Sequence, residues 1–308
     1  MKAAICIKHG SPDGISIREI AKPTIQKNEI LIKVIATSVT AGDVVLRRQS
    51  FVQFLMIWPI ARFLFGIKNQ RKKILGHEFS GIVDAVGEGV TKFHKGDAVL
   101  GTTGFKGGAH AEFISLPESG IIAVKPENLG FEAAAVLPIG GICALHFLLK
   151  AGINQDNRIL IYGASGSIGT YAVQLAKNLR AHVTGVCSTA NLELIKSFGA
   201  DVVLDYTKND IAATNEKFDV VFDSVGIFPK SKAKKILTKN GRYISTHSSP
   251  VKEKKEYLNQ VLELTSNGSI KPVIDKVFLI NKVREAHAYV ETGRKKGNVV
   301  IKIANPAD

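Results

Sequence analysis

The sequence predicts an α/β protein in which a doubly wound parallel sheet is inserted between two parts of a compact, barrel-like β domain. Three observations predict it. Short β-prone runs punctuated by glycine, proline and asparagine fill the first part of the chain. From Arg158 to Thr246 strand and helix patterns alternate, which calls for a parallel sheet covered on both faces. Strand character then returns beyond residue 270 in segments too few to form a third domain.

In the first part, Ala3–Lys8, Ile15–Glu19 and Glu29–Ala36 read as strands, followed by Gly81–Val86, Asp97–Gly101 and Ala111–Ser115. Gly87, Gly89, Gly96, Gly107 and Gly108 separate the later runs, so tight turns rather than crossover helices connect them. Ala133–Lys150 is a long apolar stretch of strong helix formers. The alternation that follows places strands at Arg158–Tyr162, His182–Cys187, Asp201–Asp205, Asp219–Asp223 and Arg242–Thr246, with helices at Ile168–Leu179, Leu192–Phe198 and Ser231–Thr238 between them. A helix at Lys252–Ser266 leads to a strand at Asp275–Leu279, a helix at Lys282–Thr292 and a last strand at Asn298–Ile303. The economical division assigns residues 1–120 with 270–308 to the β domain and 121–269 to the inserted one.

Composition sets the class. With 45% hydrophobic and 22% charged residues in 308, the chain has the makings of sizeable cores and no segment with the composition of disorder. Ala3–Ile7 is too short to be the apolar core of a secretory signal, so a cytoplasmic location is expected. Three cysteines, Cys6, Cys143 and Cys187, suit neither a disulfide framework nor a CxxC metal site and read as buried thiols. The net charge of +14 favours polyanions, but the lysines fall in separate clusters at Arg71–Lys73, Lys230–Lys239, Lys252–Lys255 and Arg294–Lys296, with no nucleic-acid motif beside them, and read as solvated faces. Phe51–Gly66 is dense in large apolar side chains, too short to span a bilayer and interrupted by Pro59 and Arg62. A flap over a pocket or a subunit contact fits it better than insertion, and surface adsorption stays open.

The chemistry concentrates where a predicted strand meets a predicted helix. Gly163 precedes Ala164-Ser165-Gly166-Ser167-Ile168-Gly169, an AxGxxG variant of the dinucleotide fingerprint. Such a site needs a tight turn, a position without a side chain where backbone meets pyrophosphate, and a small residue where helix packs on strand. The helix N-terminus then offers free N–H groups and a positive dipole end to the phosphates. The next strand ends in Cys187-Ser188-Thr189, where a site for NADH carries Asp or Glu. With no carboxylate to repel a 2′-phosphate and Ser188 as a donor, NADPH is expected over NADH.

With that fingerprint placed C-terminal to a β domain, the chain resembles the medium-chain dehydrogenase/reductase superfamily, in particular its zinc-independent quinone oxidoreductase (zeta-crystallin-like) branch. The carriers are GHEFSGIVDAVGEGV (76–90), KGDAV (95–99), GGAHAEF (107–113), EAAAVLPIGGICAL (132–145), GASGSIG (163–169), GAD (199–201), FDVVFDSVG (218–226) and GRYIS (241–245). The resemblance implies a Rossmann domain inserted in a GroES-like catalytic domain, hydride delivery to a quinone, enone or related carbonyl acceptor, and a homodimer through the Rossmann sheets.

Residue by residue, the resemblance also bears on metal and cofactor. Zinc-dependent relatives hold catalytic zinc with Cys, His and usually a second Cys; here those positions fall at Thr40, His77 and near Ile139, and the four-cysteine structural lobe has no counterpart. No zinc is expected, and His77-Glu78 reads as structural. The Ser–Lys–Tyr set that grips a 2′-phosphate maps to Ser188, Asn191 and Tyr206, so the positive charge is missing from it. Positions near nicotinamide and substrate fall at Thr40, Asp43, Cys143 and the backbone of Val225-Gly226. Asn at the Thr40 position and Tyr at the Val45 position are common in quinone reductases, and both departures count against quinone itself.

The expected reaction is therefore direct hydride transfer to an electron-poor alkene or quinone, with Thr40 and Asp43 on the substrate side. His77, His110 and His146 show no triad context, so solvent is the expected proton source. Two readings compete: a cofactor-binding protein with a mainly non-catalytic role at RNA or a membrane surface, motivated by the charge and Phe51–Gly66, and a zinc-dependent alcohol dehydrogenase, disfavoured by its ligand count.

Overall fold

The structure, a computed structural model, describes residues 1–48 and 73–306. The apolar segment Phe51–Gly66 lies outside the described residues. The chain runs β1 (Lys2–Cys6), β2 (Ile15–Glu19), β3 (Glu29–Ser38), α1 (Ala41–Arg48), β4 (Lys73–Ile74), β5 (Glu78–Val86), β6 (Ala98–Thr102), β7 (Phe113–Pro117), β8 (Ile122–Val124) and α2 (Phe131–Ala134). It continues through α3 (Pro138–Ala151), β9 (Arg158–Tyr162), α4 (Ser167–Asn178), β10 (His182–Cys187), α5 (Leu192–Ser197), β11 (Val202–Asp205), β12 (Phe218–Asp223), α6 (Lys230–Ile236), β13 (Leu237–Ser245) and α7 (Lys255–Ser266). It closes with β14 (Ile274–Leu279), α8 (Val283–Glu291) and β15 (Asn298–Lys302).

Two compact units result: Met1–Val136 with Lys276–Lys295 and Val299–Asp308, and Leu137–Asp275 with Lys296–Asn298. In the first unit, β14, β15, β3, β5, β6 and β8 are neighbours in one sheet, β7 pairs with the other end of β3, and a small sheet orders β2, β1 and β4. β3 is buried along almost its whole length, which is why its sequence shows no alternation. Register shifts between Leu31 and Ile32 and between Val34 and Ala36 mark irregularities of the bulge kind, which bend a sheet. Ala111, predicted to start a strand, instead makes an isolated bridge to Ala3, so β7 begins at Phe113.

The single helix predicted over Ala133–Lys150 is two helices. Pro138 occupies the first turn of α3, where its missing N–H costs nothing but where it cannot continue a preceding helix. The short α2 packs on β3 and β5, and Ser80 Oγ donates to Phe131 O at 2.6 Å. The β unit therefore extends to Val136 rather than ending near residue 120.

In the second unit five parallel strands are ordered β11-β10-β9-β12-β13. β9 is central, with Ile159, Leu160 and Ile161 fully buried. The strand order reverses between β9 and β12, the topological switch point at which open α/β sheets bind ligands. α3 packs closely along α4 and α7 because Gly140 and Gly141 carry no side chains: a Cβ would lie 2.6 Å from the Tyr171 ring and 2.7 Å from Val261, respectively.

Candidate functional site

At the switch point the chain leaves β9 at Tyr162 and enters α4 at Ser167. Three glycines shape that turn for three different reasons. Gly163 adopts φ +77°, and a Cβ there would lie 2.2 Å from Val225 Cγ2. Gly169 brings helix onto turn, since its Cβ would lie 2.2 Å from Gly163 O. Gly166 is different: its φ of −80° suits any residue, and the nearest protein atom to its Cβ position, Gly163 O, is 3.4 Å away. Packing among the described residues does not demand glycine there. A side chain would fill open space beside the α4 N-terminus, and that is the space a pyrophosphate needs.

The rest of the turn is held by its own unit. The N–H groups of Gly163 and Ala164 both donate to Val186 O, at 3.0 and 2.9 Å. Ser165 O accepts from Gly297 N at 2.8 Å, and Ser167 Oγ donates to Gly297 O at 2.9 Å. The first intrahelical bond of α4 runs from Thr170 N to Gly166 O, so the N–H groups of Ile168 and Gly169 have no acceptor within the helix. Donors, dipole and space suit a dinucleotide pyrophosphate.

Ser188, Asn191 and Tyr206 come together beyond the end of β10. Asn191 is buried and its Nδ2 donates to Ser165 Oγ at 3.1 Å and Ser188 Oγ at 3.2 Å, tying this corner to the glycine turn. Tyr206 N donates to Cys187 O at 3.1 Å, and its half-exposed ring lies 6.0 Å from that of Tyr162. Sequence reasoning missed an acid nearby: Asp205 pairs with Cys187 across the strands. Its carboxylate accepts from Thr189 Oγ1, from Thr207 Oγ1 at 2.6 Å and from Thr207 N at 2.9 Å. The Thr189 and Thr207 hydroxyls hold its pKa below the usual carboxylate range. Local donors thus occupy the acid. The spacing Asp205-x-Thr207, an Asx-turn signal, could have found it.

Val225 and Gly226 owe their placement to another residue the sequence reading passed over. Buried Asp223 accepts from Val225 N at 3.1 Å and Gly226 N at 2.8 Å on one oxygen, and from Phe228 N at 2.8 Å on the other. Gly226 has φ +87°, and a Cβ would strike the His247 ring at 2.4 Å. Cys143 sits on α3 and is half-buried, which corrects its reading as a buried thiol; Cys6 and Cys187 are buried as expected. Burial, with a smaller push from the Asp205 charge, raises the Cys187 thiol to about 11.

In the β unit, Thr40 and Asp43 form one reciprocal motif at the start of α1. Asp43 N donates to Thr40 Oγ1 at 3.1 Å; Thr40 N and Oγ1 donate to Asp43 Oδ2 at 2.8 and 2.6 Å. This is a capping box, written in the sequence as Thr-x-x-Asp, and it could have predicted the missing helix. The other carboxylate oxygen accepts from Gly76 N and His77 Nδ1, each at 2.8 Å. Burial alone would raise the Asp43 pKa. The His77 hydrogen bond, the His110 and His77 imidazoles and the Thr40 hydroxyl outweigh burial and hold it far below the carboxylate range.

Two expectations change here. His77 does have a partner set, Asp43 and through it Thr40, so its lack of context in the sequence is corrected. The Thr40 hydroxyl has one proton, committed to Asp43 Oδ2, and one lone pair accepting from Asp43 N, so toward a substrate it presents only its remaining lone pair. Fully buried His110 and His287 stand ring to ring at 5.5 Å behind this cluster, with His110 Nε2 3.0 Å from Ser38 O. His146 packs beside Phe147 and Tyr257.

The donor set does not fit a catalytic zinc. Of the three positions that the resemblance assigns to zinc ligands, only His77 offers a nitrogen or sulfur donor, since the thiolate positions fall at Thr40 and near Ile139. Among the described residues no group of three or more His, Cys, Asp or Glu side chains could hold a metal ion.

Comparison with known proteins places these features among relatives. Residues 26–126 match the family model described as alcohol dehydrogenase GroES-like domain, and 167–270 match one described as zinc-binding dehydrogenase. The chain is 34% identical to 2-methylene-furan-3-one reductase from Solanum lycopersicum, over 98% of this chain and 79% of that protein. It is 30% identical to the chloroplastic NADPH-dependent alkenal/one oxidoreductase of Arabidopsis thaliana over the same shares. Among solved structures, the quinone oxidoreductase from Coxiella burnetii superposes with a TM-score of 0.85 at 28% identity, covering 99% of both chains.

Proposed function

The chain belongs to the medium-chain dehydrogenase/reductase superfamily, in its quinone oxidoreductase branch, and is an oxidoreductase using a nicotinamide cofactor; from that premise we propose an NADPH-dependent, zinc-independent reductase of enones, quinones or related carbonyls. The observation that carries the reading is the turn at Gly166, where glycine is required by no contact among the described residues and leaves room beside the N–H groups of Ile168 and Gly169 at the start of α4.

Ala164, Ser165, Gly166 and Ser167 would lie along the pyrophosphate, with the N–H groups of Ile168 and Gly169 as donors. Ser188 and Tyr206 support the choice of NADPH, together with the lack of an acid at the end of β10; Asn191 orients Ser165 and Ser188 but adds no charge. When bound, the cofactor supplies the hydride. The relatives named for an alkenal/one and a methylene-furanone favour an activated alkene over a quinone as acceptor. Asp43 holds Thr40 and His77 in one orientation each, and the proton that completes the reduction comes from solvent. Zinc independence rests on the donor chemistry at Thr40, at His77 and near Ile139.

The test is a panel of enones, quinones and aldehydes with NADPH or NADH, followed by reduced-nicotinamide absorbance and product analysis. Turnover of α,β-unsaturated carbonyls with NADPH is expected. Inertness toward the whole panel would sink the reading, and tightly held zinc near one atom per chain would sink its metal-free form. A homodimer belongs to the same reading, on the resemblance alone; a light-scattering mass near one chain of 33.2 kDa would count against it.

A further inference from the structure

Residues 230–255 hold nine lysines and arginines against one carboxylate, Glu253, in a chain whose net charge is +14. Part of this charge converges. Lys230 and Lys234, one turn apart on α6, line a cavity of about 460 Å³ together with Lys150 from the last turn of α3 and Arg242 from β13. Leu237 and Ile244 contribute carbon surface to the same cavity.

Three observations separate this groove from an ordinary solvated face. First, none of the four cations has a carboxylate partner among the described residues, whereas Lys232, on the same helix, pairs with Asp210 at 3.0 Å. Second, Lys230 and Lys234 are like charges four apart, and Lys230 stands at the N-terminal end of α6, where the peptide dipoles oppose a cation. Third, two of the cations are anchored: Arg242 Nη1 donates to Ala151 O at 3.2 Å, and Lys150 Nζ donates to Ser249 Oγ at 2.7 Å. Four like charges around one concavity repel one another, and a multivalent anion relieves that repulsion.

We propose that this groove of the sheet unit is a binding site for an organic phosphate carrying at least two negative charges. Several lysine point charges and one arginine fork suit phosphate oxygens, which accept from many directions. Volume limits the ligand to a small molecule or a single headgroup. Tyr243, the aromatic residue of the groove, is held through its hydroxyl by Phe228 O at 2.8 Å and is not a stacking platform, which argues against single-stranded nucleic acid. The groove shares no residue with Gly163–Gly169 or with Ser188, Asn191 and Tyr206, so the site is independent of the cofactor reading.

Isothermal titration of the full chain with inorganic pyrophosphate, in the presence of saturating NADPH, tests the site. One pyrophosphate per chain is expected to bind with Kd below about 1 mM, and K230Q/K234Q is expected to weaken it by about tenfold or more. NADPH affinity should not change in that variant, and Lys232→Gln should leave pyrophosphate binding intact. Sedimentation with phosphatidylcholine vesicles containing phosphatidic acid separates a lipid headgroup from a free phosphate as the source: loss of vesicle binding in K230Q/K234Q, beside pyrophosphate binding, assigns the same groove to the headgroup. The proposal is overturned by no pyrophosphate binding, by binding that saturating NADPH abolishes, by equal affinity in K230Q/K234Q, or by binding confined to vesicles.

Discussion

Gly166 and Gly169, three residues apart, should respond to the same substitution in opposite ways. Gly166→Val would place a side chain in open space, so the melting temperature should stay within a few degrees while NADPH affinity falls by at least about tenfold. Gly169→Val would drive a Cβ to 2.2 Å from Gly163 O, and a loss of about 2–4 kcal/mol in stability is expected. Urea melts and a nicotinamide fluorescence titration of both variants check the pair. If Gly166→Val bound NADPH as well as the parent chain, the turn would not be the phosphate cradle. Asp43→Ala strips the acceptor from Thr40, Gly76 N and His77, leaving buried donors unpaired, and should cost about 3–5 kcal/mol. Thr40→Ala loses the cap for about 1 kcal/mol, and Thr40→Ser should restore it, which separates a stability role from any effect on turnover.

At the scale of elements, α8 carries the clearest pH dependence. Its His287 is walled in beside His110, and burial first, then the His110 and Arg47 charges, push its pKa from 6.5 down to about 3. The unfolded chain takes up a proton at this imidazole as pH falls below 6.5, while the folded one resists until about pH 3. Unfolding therefore binds a proton in that window, so stability must fall as pH drops from 6.5 toward 3, by a few kcal/mol in order of magnitude. Urea midpoints measured across this range should show the slope, and His287→Leu should flatten it; an unchanged slope would remove His287 as the cause. The elements themselves were legible where a period or a breaker marked them. β2, β9 and β10 stand at the predicted residues. Their apolar runs are bounded by turn residues that hold in any context. α1 was missed although Thr40-Ala-Gly-Asp43 spells its cap, and Ala133–Lys150 was read as one helix because burial on nearly all sides leaves α3 no polar stripe.

For the whole molecule, the charge of +14 proved less evenly dispersed than its clusters suggested: α3, α6 and β13 gather three lysines and an arginine, Lys150, Lys230, Lys234 and Arg242, around one groove. If that groove holds phosphate, pyrophosphate added with saturating NADPH should raise the melting temperature of the parent chain and raise that of K230Q/K234Q less. What the sequence determined by itself is the fold class and the glycine turn between β9 and α4, because both are short-range: a strand period, a helix period and glycines three residues apart report their geometry within one turn of chain. What only the tertiary structure decided are the joints between distant residues. Asp43 meets His77 34 positions away, Asn191 meets Ser165 26 positions away, and each depends on which strands become neighbours and in what register. Composition and local propensity carry no information about that register; burial of the whole sheet selects it. The same selection placed the four cations in one concavity, and that is why the groove could be seen only in the folded chain.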